Sequence, residues 1–489
     1  MSTYNGFYSL TAGRQPIDDS FSWINLLHQR EKEEDVSFVP LDALAVPLKQ
    51  DFRESIDVGY WFLTRSQEYD SIHKNKKDIR WFAEVEDMCG FYVLGSMKKC
   101  VDEKFWINIL SRTVYSRDNM RLEPNMEGRV ILLPPYSGEE YRKNKPDYKT
   151  ERKKIQEEAV NHPSVSDEFD EKKDKLEETE FFMGQRLELL DNDDSSRLHV
   201  ARIQEIRGRR WRVKIQQEDC PTDLDSMLNE SQTEKDGTFW VDEESVFVFP
   251  VGFAAINGYN IVAQDDYITH TEKIRDAIKA QQHPAYDPED IQETMLRREA
   301  IPKNLWSRIE ENQKLEFLDP LDAKQNELTV ASVRKVCITH GYVIVSADGD
   351  DEETVPIHVM SGYIFPVGYA EKYGMKLKKP LNFRGRYAWN KYLAQEGAVS
   401  IPKELTKPVP SQERLDKFEV GAYLEASDMN DNTSIYPARI VSLHGRLVRV
   451  SYLGYESSDD AYFDIDSHSL FPIGFSEICN FKLQRPKVE

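Results

Sequence analysis

The chain has 489 residues, more than one hydrophobic core usually organises, so several domains of about 100 to 150 residues are expected. Its formal net charge of −22 argues against sequence-specific nucleic-acid binding, because phosphate backbones are bound by clustered lysine and arginine, and it favours a basic partner. No apolar run approaches the ~20 residues of a membrane helix and no signal or transit peptide is visible, so we expect an intracellular protein without membrane contact.

The N-terminal part of the chain combines a short helix with a first β-rich unit. Residues 23–27 place apolar side chains at i, i+3 and i+4, which predicts an amphipathic helix, and Pro40 ends the segment after it. Residues 57–106 contain runs typical of strands. A densely charged segment follows; residues 143–180 are predicted to be helical or flexible, with a solvated acidic face at 166–180.

Three further units repeat two motifs in the same order. The opening motif, Leu-Glu-x-x-Asp, occupies residues 187–191, 315–319 and 424–428. The closing motif, Phe-Pro-x-Gly-aromatic, occupies residues 249–253, 365–369 and 471–475. Successive copies are separated by the length of a small domain, not by the roughly 20 to 50 residues of a thin solenoid repeat. The first unit lacks the closing motif, so we interpret it as a degenerate copy.

Between the two motifs, branched and aromatic residues alternate with polar ones, as in residues 198–206 and 211–215. This alternation is typical of half-buried antiparallel strands, and Gly208 supplies the turn. A helical arm, residues 389–393 followed by Pro402, precedes the last unit, and we expect such arms to pack on a neighbouring unit. The sequence therefore predicts a mainly β fold of four tandem small β-barrels, each with a partly helical N-terminal arm.

The opening motif, the closing motif and a Trp-x-x-Tyr-Leu arm leading to Ile-Pro together resemble the malignant brain tumour (MBT) repeat. The resemblance is weakest in the first unit and is closest to the four-repeat chromatin proteins of animals. It implies a nuclear protein in transcriptional repression, with methylated histone tails and other chromatin repressor proteins as partners. We divide the chain into a tail and four repeats, at residues 1–20, 21–140, 141–265, 266–380 and 381–489.

The resemblance also implies where a methylated lysine would bind. In this family the acid of the opening motif lines a pocket with aromatic rings, which attract a methylammonium, while a carboxylate accepts any remaining N–H. In the fourth repeat the matching residues are Asp428, Tyr452, Tyr455 and, at the third aromatic position, Asp459. An acid in place of the third ring is expected to weaken trimethyl-lysine binding and to favour lower methylation states.

The other three repeats lack aromatic residues at these positions. The second repeat has Asp191, Ile215 and Glu218, the third has Asp319, Ala347 and Asp350, and the first has Leu94 and Met97. We therefore expect repeats one to three to be incompetent for binding. In the alternative interpretation, Tyr452 and Tyr455 are ordinary strand aromatics, and the protein is a non-reading scaffold for protein interactions in chromatin complexes.

Sequence signals for catalysis or metal binding are not found. The cysteines form no CxxC pair and no zinc-spaced cluster, so buried thiols are expected at Cys89, Cys100, Cys220, Cys337 and Cys479. HExxH, GxSxG and P-loop sequences are also missing. We expect neither enzymatic activity nor a bound metal or cofactor.

Overall fold

The computed structural model describes residues 20–32, 36–65, 78–98, 104–117, 130–132, 148–176, 178–191, 194–215, 238–322, 325–350, 353–380, 383–428 and 434–487. Within these ranges the strands form four separate sheets, with short helices between them. None of the described helices is long and apolar enough to cross a membrane. The predicted N-terminal tail lies outside the described residues, except for Ser20.

The first two sheets each contain six strands. Strands β1 to β6 are Trp61–Arg65, Asp78–Cys89, Tyr92–Met97, Lys104–Asn108, Val114–Tyr115 and Val130–Leu132. Strands β7 to β12 are Arg186–Leu190, Arg197–Arg207, Arg210–Ile215, Thr238–Asp242, Val248–Phe249 and Asn260–Val262. The first sheet has the order β4-β3-β2-β1-β5, with β6 parallel to β2, and the second sheet repeats this arrangement.

The third and fourth sheets follow the same plan. Strands β13 to β18 are Lys314–Phe317, Leu328–Val336, Tyr342–Ala347, Val355–His358, Ile364–Phe365 and Leu377–Lys378. Strands β19 to β23 are Tyr423–Ser427, Ile435–His444, Leu447–Tyr452, Ala461–Asp464 and Leu470–Phe471. In every sheet an antiparallel meander of four strands is followed by a fifth strand that pairs back with the first. The prediction of four mainly β repeats is confirmed.

The second strand of every sheet carries a register shift at the same place. The shifts lie between Val85 and Asp87, Ile203 and Glu205, Val333 and Lys335, and Ile440 and Ser442. A β-bulge bends its strand and increases the local twist, which curls each sheet so that its first strand can be reached by the fifth. Because the first sheet has the same bulge, the degenerate unit is a structural copy of the others.

The glutamate of the opening motif explains why the two motifs occur together. Glu188, Glu316 and Glu425 are fully buried, and each lies opposite the phenylalanine of the closing motif. Each accepts hydrogen bonds from two backbone N–H groups of the closing motif or of the residue that follows it. In the first sheet Leu63 takes this position opposite Tyr115, so the first repeat lacks both the acceptor and the closing motif.

The helices lie before the sheets and after the closing motifs. Helices α1 to α10 are Ile24–Arg30, Tyr148–Asn161, Asp167–Asp174, Phe253–Asn257, Asp265–Lys279, Lys303–Trp306, Tyr369–Tyr373, Trp389–Glu396, Gln412–Leu415 and Phe475–Cys479. Among the described residues, three turns of 3₁₀ helix are Glu293–Met295, Lys403–Leu405 and Ser457–Asp459. The charged segment is helical in α2 and α3. In α3 Phe169 is buried, Asp170, Lys172 and Lys173 are half-buried, and the other residues are exposed.

Each arm packs on a sheet other than its own. Isolated bridges join Trp61 to Ser164, Arg186 to Asp290, Lys314 to Ser400, and Phe38 to Tyr423. The arms before repeats two, three and four thus pack on the preceding sheet, and the first arm packs on the fourth sheet. The expectation that the arms pack on neighbouring units is confirmed. The boundaries between repeats stay predictions, since each arm crosses from one unit to another.

Three of the five cysteines lie in the described ranges. Cys89, Cys337 and Cys479 are buried thiols, as predicted, and Cys100 and Cys220 fall outside the described residues. Burial raises the pKa of the Cys337 thiol to about 12. The Cys337 thiol therefore stays protonated at neutral pH. All three thiols belong to the hydrophobic core.

Candidate functional site

The fourth sheet brings three tyrosine rings together at one end. Tyr452 is the last residue of β21, Tyr455 lies in the turn after it, and Tyr436 lies on β20. The ring centroid of Tyr436 is 5.4 Å from that of Tyr452 and 5.3 Å from that of Tyr455, and the Tyr452 and Tyr455 centroids are 6.4 Å apart. The interplanar angles of 61°, 86° and 73° show edge-to-face contacts, so the rings are not stacked on one another.

The three rings differ in exposure. Tyr452 is only 6% exposed, belongs to the core of the repeat, and donates its hydroxyl hydrogen to the Ser427 carbonyl at 3.0 Å. Tyr436 and Tyr455 are half-buried and pack at the edge of the same core. Tyr452 is therefore fixed from inside, and the other two rings carry the part of the cluster that reaches solvent.

Carboxylates lie beside the rings. Asp428 directly follows β19 and is half-buried. The Tyr452 hydroxyl binds the carbonyl of Ser427, the residue before Asp428, so this acid lies near the ring. Burial raises the pKa of Tyr452 well above its ordinary value, and the charges of Asp428 and Asp460 raise it further. Asp460 is 6% exposed and its Oδ2 is 2.9 Å from Nη2 of Arg449. Asp459 is exposed, at the end of the 3₁₀ turn Ser457–Asp459.

A lysine of the same chain contacts this cluster. The Nζ atom of Lys487 lies 4.4 Å from the centroid of the Tyr455 ring. This is the geometry of a cation–π contact, in which the ring quadrupole attracts the ammonium. The Tyr455 face is therefore open to an alkylammonium group.

Two residues of this cluster were missed from the sequence. Tyr436 lies two residues before Ala438, which pairs with Tyr452, so strand alternation places Tyr436 and Ala438 on the same face. That alternation was a usable signal. Asp460 carried no such signal, since it is one of two adjacent acids in a turn.

The second repeat has an acid whose oxygens are already bonded within the chain. Asp191 is 8% exposed and lies 2.6 Å from Nε of Arg197 and 2.8 Å from Nε2 of His199. His199 takes the position that Tyr436 has in the fourth repeat, and the buried Ile215 takes that of Tyr452. Glu218 lies outside the described residues. The cationic partner of this acid is therefore an internal arginine.

The third and first repeats also lack a ring opposite the equivalent alanine. In the third repeat Ala331 pairs with Ala347, and burial raises the pKa of Asp319, which accepts a hydrogen bond from the Leu321 N–H. Asp350 lies in the turn after Ala347. In the first repeat Ala83 pairs with Met97. The assignment of Leu94 to the first ring position was wrong, because Leu94 lies mid-strand opposite Asp87 and Met97 occupies that position.

One cluster within the described ranges has the side chains of a possible metal site. His270, Asp287 and Asp290 bring ligand atoms within 4.8 Å of one another. The guanidinium of Arg186 forms ion pairs with both carboxylates, at 2.6 Å to Asp287 Oδ2. Arg186 therefore already supplies positive charge to these two acids. The cluster joins the second sheet to the arm before the third repeat.

Comparison with known proteins identifies related sequences. A model of the MBT repeat family matches residues 185–268, 313–384 and 422–489. Protein lin-61 of Caenorhabditis elegans is 42% identical over 476 residues, which cover 96% of this chain and 77% of that protein. Malignant brain tumor repeat protein 1 of the same organism is 32% identical over 502 residues, covering 96% and 87%. Polycomb protein Sfmbt of Drosophila melanogaster is 25% identical over 417 residues, covering 83% and 31%.

A solved structure has the same fold. The four MBT repeats of Drosophila melanogaster Sfmbt, crystallised in complex with the peptide RHR(me)KVLR, match this chain with a TM-score of 0.74 and 22% sequence identity. The match covers 96% of this chain and 99% of that one. The first sheet, which lies outside the segments matched by the family model, is thus part of a four-repeat arrangement.

Proposed function

Because the chain belongs to the MBT repeat family, we propose that it is a nuclear chromatin-associated protein that reads methylated lysine on histone tails and acts in transcriptional repression. The observation that carries this proposal is the convergence of Tyr436, Tyr452 and Tyr455 beside Asp428 in the fourth repeat. One relative gives it context, since Sfmbt is named a Polycomb protein and its repeats were crystallised with a methylated-lysine peptide. Other chromatin repressor proteins are the further partners that we propose.

The chemistry of the cluster suits an alkylated ammonium. A methylammonium is weakly hydrated, and each aromatic face it contacts contributes about 0.5 to 2 kcal/mol. Asp428 can accept a hydrogen bond from a mono- or dimethylated amine, which a trimethylated amine cannot donate. Tyr436 supplies a third ring from β20, while Asp459 lies at the rim. We therefore propose that Asp428 gives a preference for lower methylation states.

The expected affinity is modest. The contacts of a methylated lysine with two half-buried rings and one carboxylate must offset the entropy lost on association. A dissociation constant of roughly 0.1 mM or weaker is therefore expected for the methylated side chain alone. Contacts with the rest of the tail are then needed. The net charge of −22 attracts the lysines and arginines that flank a histone mark.

A non-reading scaffold is the second candidate function. It is favoured by the 6% exposure of Tyr452 and by the internal ion pair of Asp191 in the second repeat. On this view the four curled sheets present surfaces to other chromatin proteins. Under either function, repeats one to three act as a platform, and we expect no catalytic activity.

Peptide titration separates the two functions. The full chain is titrated with a histone-tail peptide whose lysine is unmodified, mono-, di- or trimethylated. We expect Tyr455→Leu to weaken binding of the methylated peptides by about fivefold or more, because a cation–π contact is lost, and Tyr455→Phe to retain it.

The control is Tyr286→Leu, which removes a half-buried tyrosine from the arm before the third repeat. Reading requires that methylated peptides bind better than unmodified peptide and that only the Tyr455→Leu change removes the difference. Equal weak binding of all four peptides to every variant would leave the scaffold as the function.

A further inference from the structure

We propose that residues 483–487 are an intramolecular ligand of the fourth repeat, which holds the Lys487 ammonium on the Tyr455 ring and must be displaced before a methylated lysine binds there. The displacement rests on the proposed function, whereas the internal contact does not. The proposal is carried by three features of this segment: its anchoring, its close approach to the turn, and the position of its lysine.

The start of the segment is anchored as an added strand. Leu483 is 3% exposed and pairs in parallel with Ile435 of β20. The Gln484 N–H donates to the Ile435 carbonyl at 2.9 Å, and its side-chain amide donates to Ser434 Oγ at 3.2 Å. The Phe21 N–H donates to the Leu483 carbonyl at 2.8 Å from the other side. Backbone hydrogen bonds therefore fix the direction in which the segment leaves the sheet.

The segment then passes directly over the turn between the two predicted ring residues. A Cβ atom on Gly454 would lie 2.6 Å from the backbone nitrogen of Lys487 and 2.7 Å from the backbone carbonyl oxygen of Lys487. Gly454 also has a φ of +76°, a conformation that glycine adopts readily. The missing side chain at this position gives the backbone of residues 486–487 room to lie against the turn.

The position of the anchored backbone places the Lys487 side chain at the Tyr455 ring. The side chain of Lys487 is exposed, and its Nζ lies 4.4 Å from the Tyr455 centroid. An unmodified ammonium is strongly hydrated, so its attraction to an exposed ring is weak, and a methylated ammonium competes well for the same face. Two cations near one ring also repel each other, so the external lysine binds after Lys487 has moved away.

Affinity measurements test the displacement. Lys487→Ala is expected to raise the affinity for a methylated-lysine peptide by about two- to fivefold, because the weak internal contact no longer competes. Lys487→Arg keeps a cation at the ring and should bind like wild type. Lys482→Ala replaces an exposed lysine just before this segment and makes the same change of net charge without touching Tyr455. Equal affinities of wild type and Lys487→Ala would overturn the displacement.

A spectroscopic measurement tests the contact without any peptide. In protein that carries ¹³C at the lysine ε-carbons, the resonance that disappears in Lys487→Arg is assigned to the ε-carbon of Lys487. A ring above the methylene shifts this resonance upfield, and Tyr455→Leu should return it to the random-coil position. An unshifted resonance in wild type would refute the internal ligand even where methylated peptides bind. A shifted resonance together with no methyl-dependent binding would refute the proposed function and retain the contact.

Discussion

The glutamate of the opening motif is a buried carboxylate that holds backbone groups. Glu425 accepts hydrogen bonds from the Gly474 N–H at 2.7 Å, the Ser476 N–H at 2.8 Å and the Trp23 indole N–H at 3.0 Å. Burial raises the pKa of Glu425, and these donors act against that rise. A buried carboxylate persists only where donors use its lone pairs, so the donors and the acid depend on each other.

Replacing this acid should destabilise the fourth repeat. In Glu425→Gln the side-chain NH₂ cannot accept, which leaves buried donors without a partner and costs about 2 to 4 kcal/mol of unfolding free energy. The measurement is thermal unfolding of the full chain, compared with Glu404→Gln in the exposed part of Lys403–Leu405. A melting temperature of Glu425→Gln equal to that of the control would contradict the bonding role.

Some residues of the candidate site could be predicted from the sequence and others could not. Tyr452 could be placed because the register of a strand is fixed by its pairing, and Tyr455 follows it at a fixed short distance. The different exposures of Asp459 and Asp460 could not be predicted, because Asp459 ends the 3₁₀ turn whereas Asp460 follows it in extended backbone, and the two side chains face different directions. The exposed Asp459 and the buried Asp460 differ for that reason.

At the scale of elements, the aromatic residues of the arms bind acids of another repeat. The Trp389 indole N–H donates to Glu316 at 2.7 Å, and the Tyr392 hydroxyl donates to Asp348 at 2.6 Å. Asp348 also pairs with Nζ of Lys314 at 2.9 Å. The helical spacing of this arm was predictable from the sequence. The sheet on which it packs was not, because tertiary contacts between distant segments decide it.

The first arm offers a test of this docking. Trp23→Phe keeps ring contacts with Phe21 and Tyr423 but removes the indole donor to Glu425, so the arm should lose about 1 to 3 kcal/mol of docking free energy. Hydrogen exchange followed by mass spectrometry should then show faster exchange in residues 36–40, where the Val39 N–H donates to the Tyr423 carbonyl.

Trp389→Phe is the matched control for the arm experiment. It removes the equivalent donor from the fourth arm and should speed amide hydrogen exchange in residues 399–401, where the Ile401 N–H donates to the Lys314 carbonyl. Each substitution should affect its own arm and spare the other. Unchanged protection of Val39 in Trp23→Phe would show that the indole bond does not hold the first arm.

At the scale of the whole molecule, the fourth repeat contacts both the first arm and the second repeat. Arg207 of the second sheet donates from Nη1 to the Asn480 carbonyl at 2.6 Å. His468, in the fourth repeat, lies 3.6 Å from Asp242 Oδ1 and 3.7 Å from Glu244 Oε1. The candidate site thus stands on a repeat that is held in place by distant parts of the chain, which is why binding should be measured on the full chain.

The His468 contact makes one junction between repeats dependent on pH. Burial lowers the pKa of His468, but the negative charges of Asp242 and Glu244 outweigh burial, and the pKa is raised above 6.5 in spite of the nearby Arg209. The folded state therefore binds this proton more tightly than the unfolded state does. The resulting stabilisation is fully present below the unfolded pKa and is lost as the pH rises through the folded pKa.

Comparison of wild type with His468→Gln isolates the stabilisation that comes from the protonated His468 side chain. We expect wild type to exceed the variant in melting temperature by the largest margin near pH 6, and the margin to shrink toward pH 8.5 as His468 loses its proton. His358 acts in the opposite sense, because burial lowers its pKa to about 3 and its protonation favours unfolding at low pH. His358 is present in both proteins, so its effect cancels in the difference. A margin that is constant or grows with pH would mean that His468 is neutral in the folded protein and that the junction with Asp242 and Glu244 is not an ion pair.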